Sequence, residues 1–132
     1  MDYIAHIDTG TKYSEDSPKS TTLELTSGFL MGGFVYFPSG PAGLLHCIVR
    51  RGLHQILPAN EGANYAIDDA VVPLHLNYML DTRPYELEVL TWNDSETYSH
   101  TLTICVFLDP YIKEIIKKKE GSLLSRILGM RR

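Results

Sequence analysis

The stretch 85–108 reads YELEVLTW (85–92), NDSET (93–97) and YSHTLTICVFL (98–108). Two runs of β-branched, aliphatic and aromatic residues enclose five polar ones. In the second run His100, Leu102, Ile104, Val106 and Leu108 share one face, and Thr101, Thr103, Cys105 and Phe107 the other, a period of two that belongs to a strand. A five-residue connection between two such runs predicts an antiparallel hairpin of Tyr85–Trp92 with Tyr98–Leu108. Both faces of the second run become apolar towards its end, so that strand is expected at the centre of a sheet.

Working outward, the same alternation recurs in shorter pieces. Asp2 to Asp8 predicts an edge strand, and the polar stretch Thr9 to Lys19 a loop. Thr21, Leu23 and Leu25 begin another strand, and a turn at Ser27-Gly28 leads into Phe29–Phe37. There the Gly32-Gly33 pair predicts a bulge or a close approach of two backbones. Pro38 to Gly43 is a turn cluster. Leu44–Arg50 and Leu53–Leu57 are short strands separated by Arg51-Gly52, with Leu45, Cys47 and Val49 on one face. Pro58 to Asp69 is polar and turn-rich. Ala70–Leu80 returns to strand, and Pro73, which has no amide to give a ladder, puts it at an edge or bulge. Seven or eight short strands with turns every eight to twelve residues predict an all-β fold, a single antiparallel β-sandwich or jelly roll.

The remainder of the chain has a different character. Residues 1–110 carry fourteen acidic and five basic side chains, a net of −9, whereas residues 111–132 carry two acidic and seven basic, a net of +5. Ile112, Ile115, Ile116, Leu123, Leu124, Ile127 and Leu128 approximate one helical stripe, with Lys113, Lys117, Lys118 and Arg126 mostly elsewhere. Gly121-Ser122 divides it into two short helices. The chain therefore divides into a β-sandwich domain, 1–110, and a basic amphipathic helical tail, 111–132. The tail is expected to pack on its own body or in the groove of a neighbouring subunit or partner, an anionic surface being the further choice.

Composition narrows the function classes. At 132 residues with 44% hydrophobic and 21% charged content, the chain has enough apolar material for one core without a disulfide or structural metal. No apolar run approaches the roughly 20 residues of a membrane-spanning helix. Met1-Asp2-Tyr3 lacks the basic start of a secretion signal, so the protein is expected to act where it is made or to leave as part of an assembly. Cys47 and Cys105 sit in apolar strand patterns and are expected as buried free thiols. The acidic body argues against direct nucleic-acid recognition.

No residue pattern commits to catalysis. The histidines, His6, His46, His54, His75 and His100, fall on different strands without metal-ligand spacing, although His46 and His54 flank a tight turn and could meet across a hairpin. There is no Gly-x-Ser-x-Gly, and neither cysteine has a basic or helix-start setting that would make it a nucleophile. Acids at Asp68-Asp69 and at Asp94 and Glu96 match no calcium-loop spacing. Glu86 and Glu88 share one strand face, read as the solvent side. Tyr78, Tyr85, Trp92 and Tyr98 lie near strand ends, where aromatic rings either pack or offer a flat face to a sugar.

The run Phe34-Val35-Tyr36-Phe37-Pro38-Ser39-Gly40-Pro41-Ala42-Gly43-Leu44, with His54-Gln55-Ile56-Leu57-Pro58 and Thr91-Trp92-Asn93-Asp94 before His100-Thr101, resembles small β-sandwich, jelly-roll structural proteins of tailed phages and prophages. The resemblance spans roughly residues 20–108 and excludes the tail. It implies a non-enzymatic virion component, decorating a capsid or its neck, that forms homo-oligomers or docks on that larger assembly and needs no catalytic residue, cofactor or metal. Two further readings follow from the residues: a carbohydrate- or receptor-binding module using Tyr78, Tyr85, Trp92 and Tyr98, and a jelly-roll metalloenzyme using His46, His54 and His100.

Overall fold

The computed structural model describes residues 1–110. The helical tail expected over 111–132 lies outside them. Eight strands form: β1 Asp2–Thr9, β2 Lys19–Glu24, β3 Gly28–Phe37, β4 Leu45–Arg51, β5 His54–Leu57, β6 Ala70–Leu80, β7 Glu86–Asn93 and β8 His100–Asp109. They make two antiparallel four-stranded sheets, the first in the order β1-β8-β3-β6 and the second β2-β7-β4-β5. Each strand also has the partner a long folded hairpin would give it: β1 pairs with β8, β2 with β7, β3 with β6 and β4 with β5. Only the β4–β5 connection stays within one sheet, turning at Gly52 with φ +59°.

The alternation seen in sequence sets the inward faces. Leu102, Ile104, Val106 and Leu108 of β8 and Ile7 of β1 meet Leu45, Cys47 and Val49 of β4 and Leu87 and Val89 of β7, closed by Leu30, Val35 and Phe37 of β3. All are buried, and removal of such side chains from water contributes about 1.5–3 kcal/mol each. The expected edge positions hold: β1 is an outer strand, and Pro73 sits in the other outer strand, β6, which pairs on one side only. The bulge also holds, as a register shift between Leu30 and Gly32. At Gly33 a Cβ would stand 1.9 Å from the Cys105 carbonyl oxygen, so a bare backbone is what lets β3 lie against β8 there.

The hairpin expected at 85–108 does not form. β7 lies in the second sheet between β2 and β4, and β8 in the first between β1 and β3. The six-residue link 94–99 carries the chain across the sandwich, and Asn93 at the end of β7 holds it there. The buried Asn93 amide donates to the carbonyls of Thr9, at 3.0 Å, and Tyr98, at 2.8 Å, while its Oδ1 accepts from Ser95 N at 2.9 Å. Beside it the hydroxyls of Thr9 and Thr91 lie 2.7 Å apart, joining β1 to β7 across the layers. β7 and β8 thus each lie between two neighbours, with their inner faces buried.

Candidate interaction surface

Each sheet has an outer side built by the residues that alternate with the core, and on both sides those residues include large apolar groups. On the second sheet they are Ile48 of β4 and Leu90 and Trp92 of β7. Two loops cover them. Residues 10–18 are tied down by the bond from Asn93 N to Tyr13 O, at 3.0 Å, and residues 58–69 by paired backbone bonds between Tyr65 and Cys47, at 2.9 Å each. Glu15, Pro18, Gly62 and Ala63 of these loops, with Gln55, line a shallow hollow over Ile48, Leu90 and Trp92, and Trp92 is left only 6% exposed.

On the first sheet the outer side has rows set by register: Ile4, Cys105, Phe34 and Pro73 in one, and His6, Thr103, Tyr36 and Val71 in the next. Phe34 and Phe107 meet edge to face with centroids 6.4 Å apart, a favourable aromatic geometry. On the β1 side His6 Nδ1 lies 2.7 Å from Thr103 Oγ1 and the Thr101 hydroxyl donates to Asp8. The row beyond Phe34 joins Asp2, Phe107, Gly32 and His75, and on β6 His75 and Asn77 are exposed. Ile4 is 58%, Val71 55% and Met31 49% exposed, and Tyr36 and Met1 are exposed too. Of the eight large exposed apolar side chains among the described residues, Ile4, Met31, Tyr36 and Val71 are on this face, while the Met1 sulfur lies 3.5 Å from the Tyr3 hydroxyl on the core side of β1. The others, Leu44, Leu53 and Tyr98, stand on turns.

The aromatic candidates divide between two ends of the molecule. Tyr78 and Tyr85 are half-buried near the start of β7, each with an arginine over its ring: Arg51 at 5.7 Å and Arg83 at 6.0 Å. Trp92 is buried at the far end of β7, about 23 Å along the strand from Tyr85 at 3.3 Å per residue. Tyr98 beyond it is exposed. The four do not form one platform. His46 and His54 do not meet across the hairpin either, since His54 pairs with Arg51 while His46 pairs with Trp92 of β7. His100 opens β8 in the other sheet, and no three metal-binding side chains gather among the described residues.

His46 belongs to a constellation that spacing did not reveal. Its ring stacks on Trp92 at 5.1 Å and 2° between planes. Nδ1 lies 2.7 Å from Asn64 Oδ1 and Nε2 2.8 Å from Asp94 Oδ2, so both nitrogens are engaged. These contacts join the 58–69 loop and the β7–β8 crossing to β4. The acids behave likewise: Asp68 Oδ1 accepts from Gly40 N and Ala42 N, fastening the Pro38–Gly43 turn. Glu88 accepts from the Arg50 guanidinium at 2.8 and 3.1 Å and from Ser20, and the Arg50 hydrogen bonds hold its carboxyl below the usual glutamate range. Both cysteines are free and buried as expected. Burial pushes the Cys47 thiol up to about 12, and raises Cys105 with a smaller contribution from Asp2, so neither is a ready thiolate at neutral pH.

The tail positions Ile112, Ile115, Ile116, Leu123, Leu124, Ile127 and Leu128 lie outside the described residues. No helix among the described residues is long and apolar enough to cross a membrane. No protein-family model, curated protein or solved structure matches the chain.

Proposed function

We propose that the protein is a non-enzymatic structural subunit, a jelly-roll domain that oligomerises or docks on a larger assembly. The nested strand order, two sheets of β1-β8-β3-β6 and β2-β7-β4-β5, supports the jelly-roll reading. The observation that carries the assembly reading is the outer face of the first sheet, where Ile4, Met31, Tyr36 and Val71 are exposed together, because exposed apolar groups gathered on one face mark a site of association. The stacking of His46 on Trp92, the pairing of Glu88 with Arg50 and the burial of both cysteines support a structural role for those residues. On the resemblance to jelly-roll phage proteins, the assembly we propose is a virion, at its capsid surface or neck, with the basic tail contributing to attachment.

The test is the native mass of the full chain, by sedimentation or native mass spectrometry, between about 1 and 100 μM. A defined multiple of the 14.9 kDa protomer is expected. A monomer throughout that range, with no uptake by a candidate virion shell, refutes the reading.

A further inference from the structure

Resting on that assembly reading, we infer that the apolar outer face of the first sheet seats the C-terminal segment, residues 111–132, of a neighbouring copy. The face selects its occupant by two properties. Its middle, around Phe34, Tyr36, Val71 and Phe107, calls for aliphatic surface, and its β1 border presents Asp2, paired to Phe107, beside Asp8, which Thr101 and the Lys19 ammonium already contact, so that positive charge is favoured at the Asp2 end. A second body fails the electrostatic half, since it sets a net −9 against another −9. The segment meets both, with four isoleucines and three leucines on a net charge of +5. It also has the length. Even at the compact rise of a helix, about 1.5 Å per residue, either half of the twenty-two residues, 111–120 or 123–132, reaches about 15 Å, against a face of four strands about 15–20 Å wide and about 20 Å from Thr101 to Phe107.

The place of departure favours a neighbour's segment over the chain's own. β8 runs from His100 to Asp109 and delivers the chain at the face's margin, in a hollow lined by Met1, Met31, Leu108, Asp109 and Pro110. The rows at Phe34 and Tyr36 register with Cys105 and Thr103, behind that point and against the direction of travel. A neighbour presenting its face at this margin receives the segment without a reversal. The exchange also places each +5 segment on a −9 body, which steers encounter and weakens with salt.

The test uses the full chain with a photo-crosslinking amino acid at position 36, prepared in heavy and light isotopic forms, mixed in equal amounts, dissociated and reassembled. Links from position 36 to peptides of 111–132 are expected, with about half of them joining heavy to light. Same-isotope links alone would mean that each copy covers its own face, and would overturn the inference. An oligomer of undiminished mass with no links from position 36 to the segment would overturn it as well, while leaving assembly standing. The double variant Ile4→Lys/Val71→Lys, at positions exposed enough to leave the fold intact, should lower the link yield at least tenfold. It should also speed tryptic cleavage at Lys117–Lys119 by a similar factor, since each aliphatic side chain no longer withdrawn from water weakens binding about tenfold or more. Unchanged yield and cleavage in that variant would count against the face as the seat.

Discussion

The two sheets treat the same problem differently. Both present large apolar groups on the side turned away from the core. On the second sheet the chain folds its own loops, 10–18 and 58–69, over Ile48, Leu90 and Trp92, pinned at Tyr13 and Tyr65 and locked by the stack of His46 on Trp92. On the first sheet no described loop crosses Ile4, Phe34, Tyr36 and Val71. Outward apolar residues on a sheet are therefore not one kind of signal. Where a covering loop exists they extend the core, and where none does they are surface held in readiness for something else.

That contrast is sharpest at Trp92. Trp92→Ala should lower stability by about 3–5 kcal/mol, because a buried indole is removed from between sheet and loops and His46 loses its stacking partner. Urea unfolding measures this, and a loss below about 1 kcal/mol would mean that the cover is loose and the two sides are alike. Gly33→Ala, beneath the uncovered face, is expected to cost about 1–3 kcal/mol or more, since the added methyl meets the Cys105 carbonyl and β3 must move off β8. A tolerated alanine there would show that the first sheet has slack the second lacks.

On the uncovered face itself, Val71→Lys alone should change stability by no more than about 0.5 kcal/mol while reducing association. A loss of several kcal/mol in the isolated protomer would make that face part of the core and erase the comparison. The smallest effect belongs to Glu88. Its carboxyl is held below the usual range in the folded state, so the Arg50–Glu88 pair contributes above the ordinary glutamate pKa and fades as pH falls through the lower folded value. Stability measured from pH 7 downwards should fall slightly less steeply in Glu88→Gln. An identical acid limb would remove the pair from the account.

What sequence conveyed, and what it did not, follows the same line. Alternation along 102–108 identified both the buried face of β8 and its central position, and Gly32-Gly33 and Pro73 marked the bulge and the edge, because each reflects a constraint local to a few residues. The apolar second face of β8, Cys105 and Phe107, counted towards centrality but did not disclose whether anything lay over it. The misread hairpin has a sharper cause. A short link fixes how far a connection reaches and leaves its destination open, and here the destination depends on an amide at Asn93 finding the carbonyl of Thr9, eighty-four positions earlier. The constellation of His46, Asn64, Trp92 and Asp94 was hidden for the same reason, its members lying on two strands and two loops that only the finished fold assembles.

The nested pairing of strands imposes an order in time. β4 and β5 are neighbours along the chain and can pair as soon as both exist, but β1 must wait for β8, whose residues lie about a hundred positions later. At roughly 5–20 residues per second of synthesis that is a delay on the order of 5–20 s. Through it β1, with Tyr3, Ile4 and Ile7, has no sheet to join. Loops that long must be closed before their pairings repay the entropy of closure, so this domain belongs among slow folders. Of the eight strands, the one synthesised earliest is among the last to be placed.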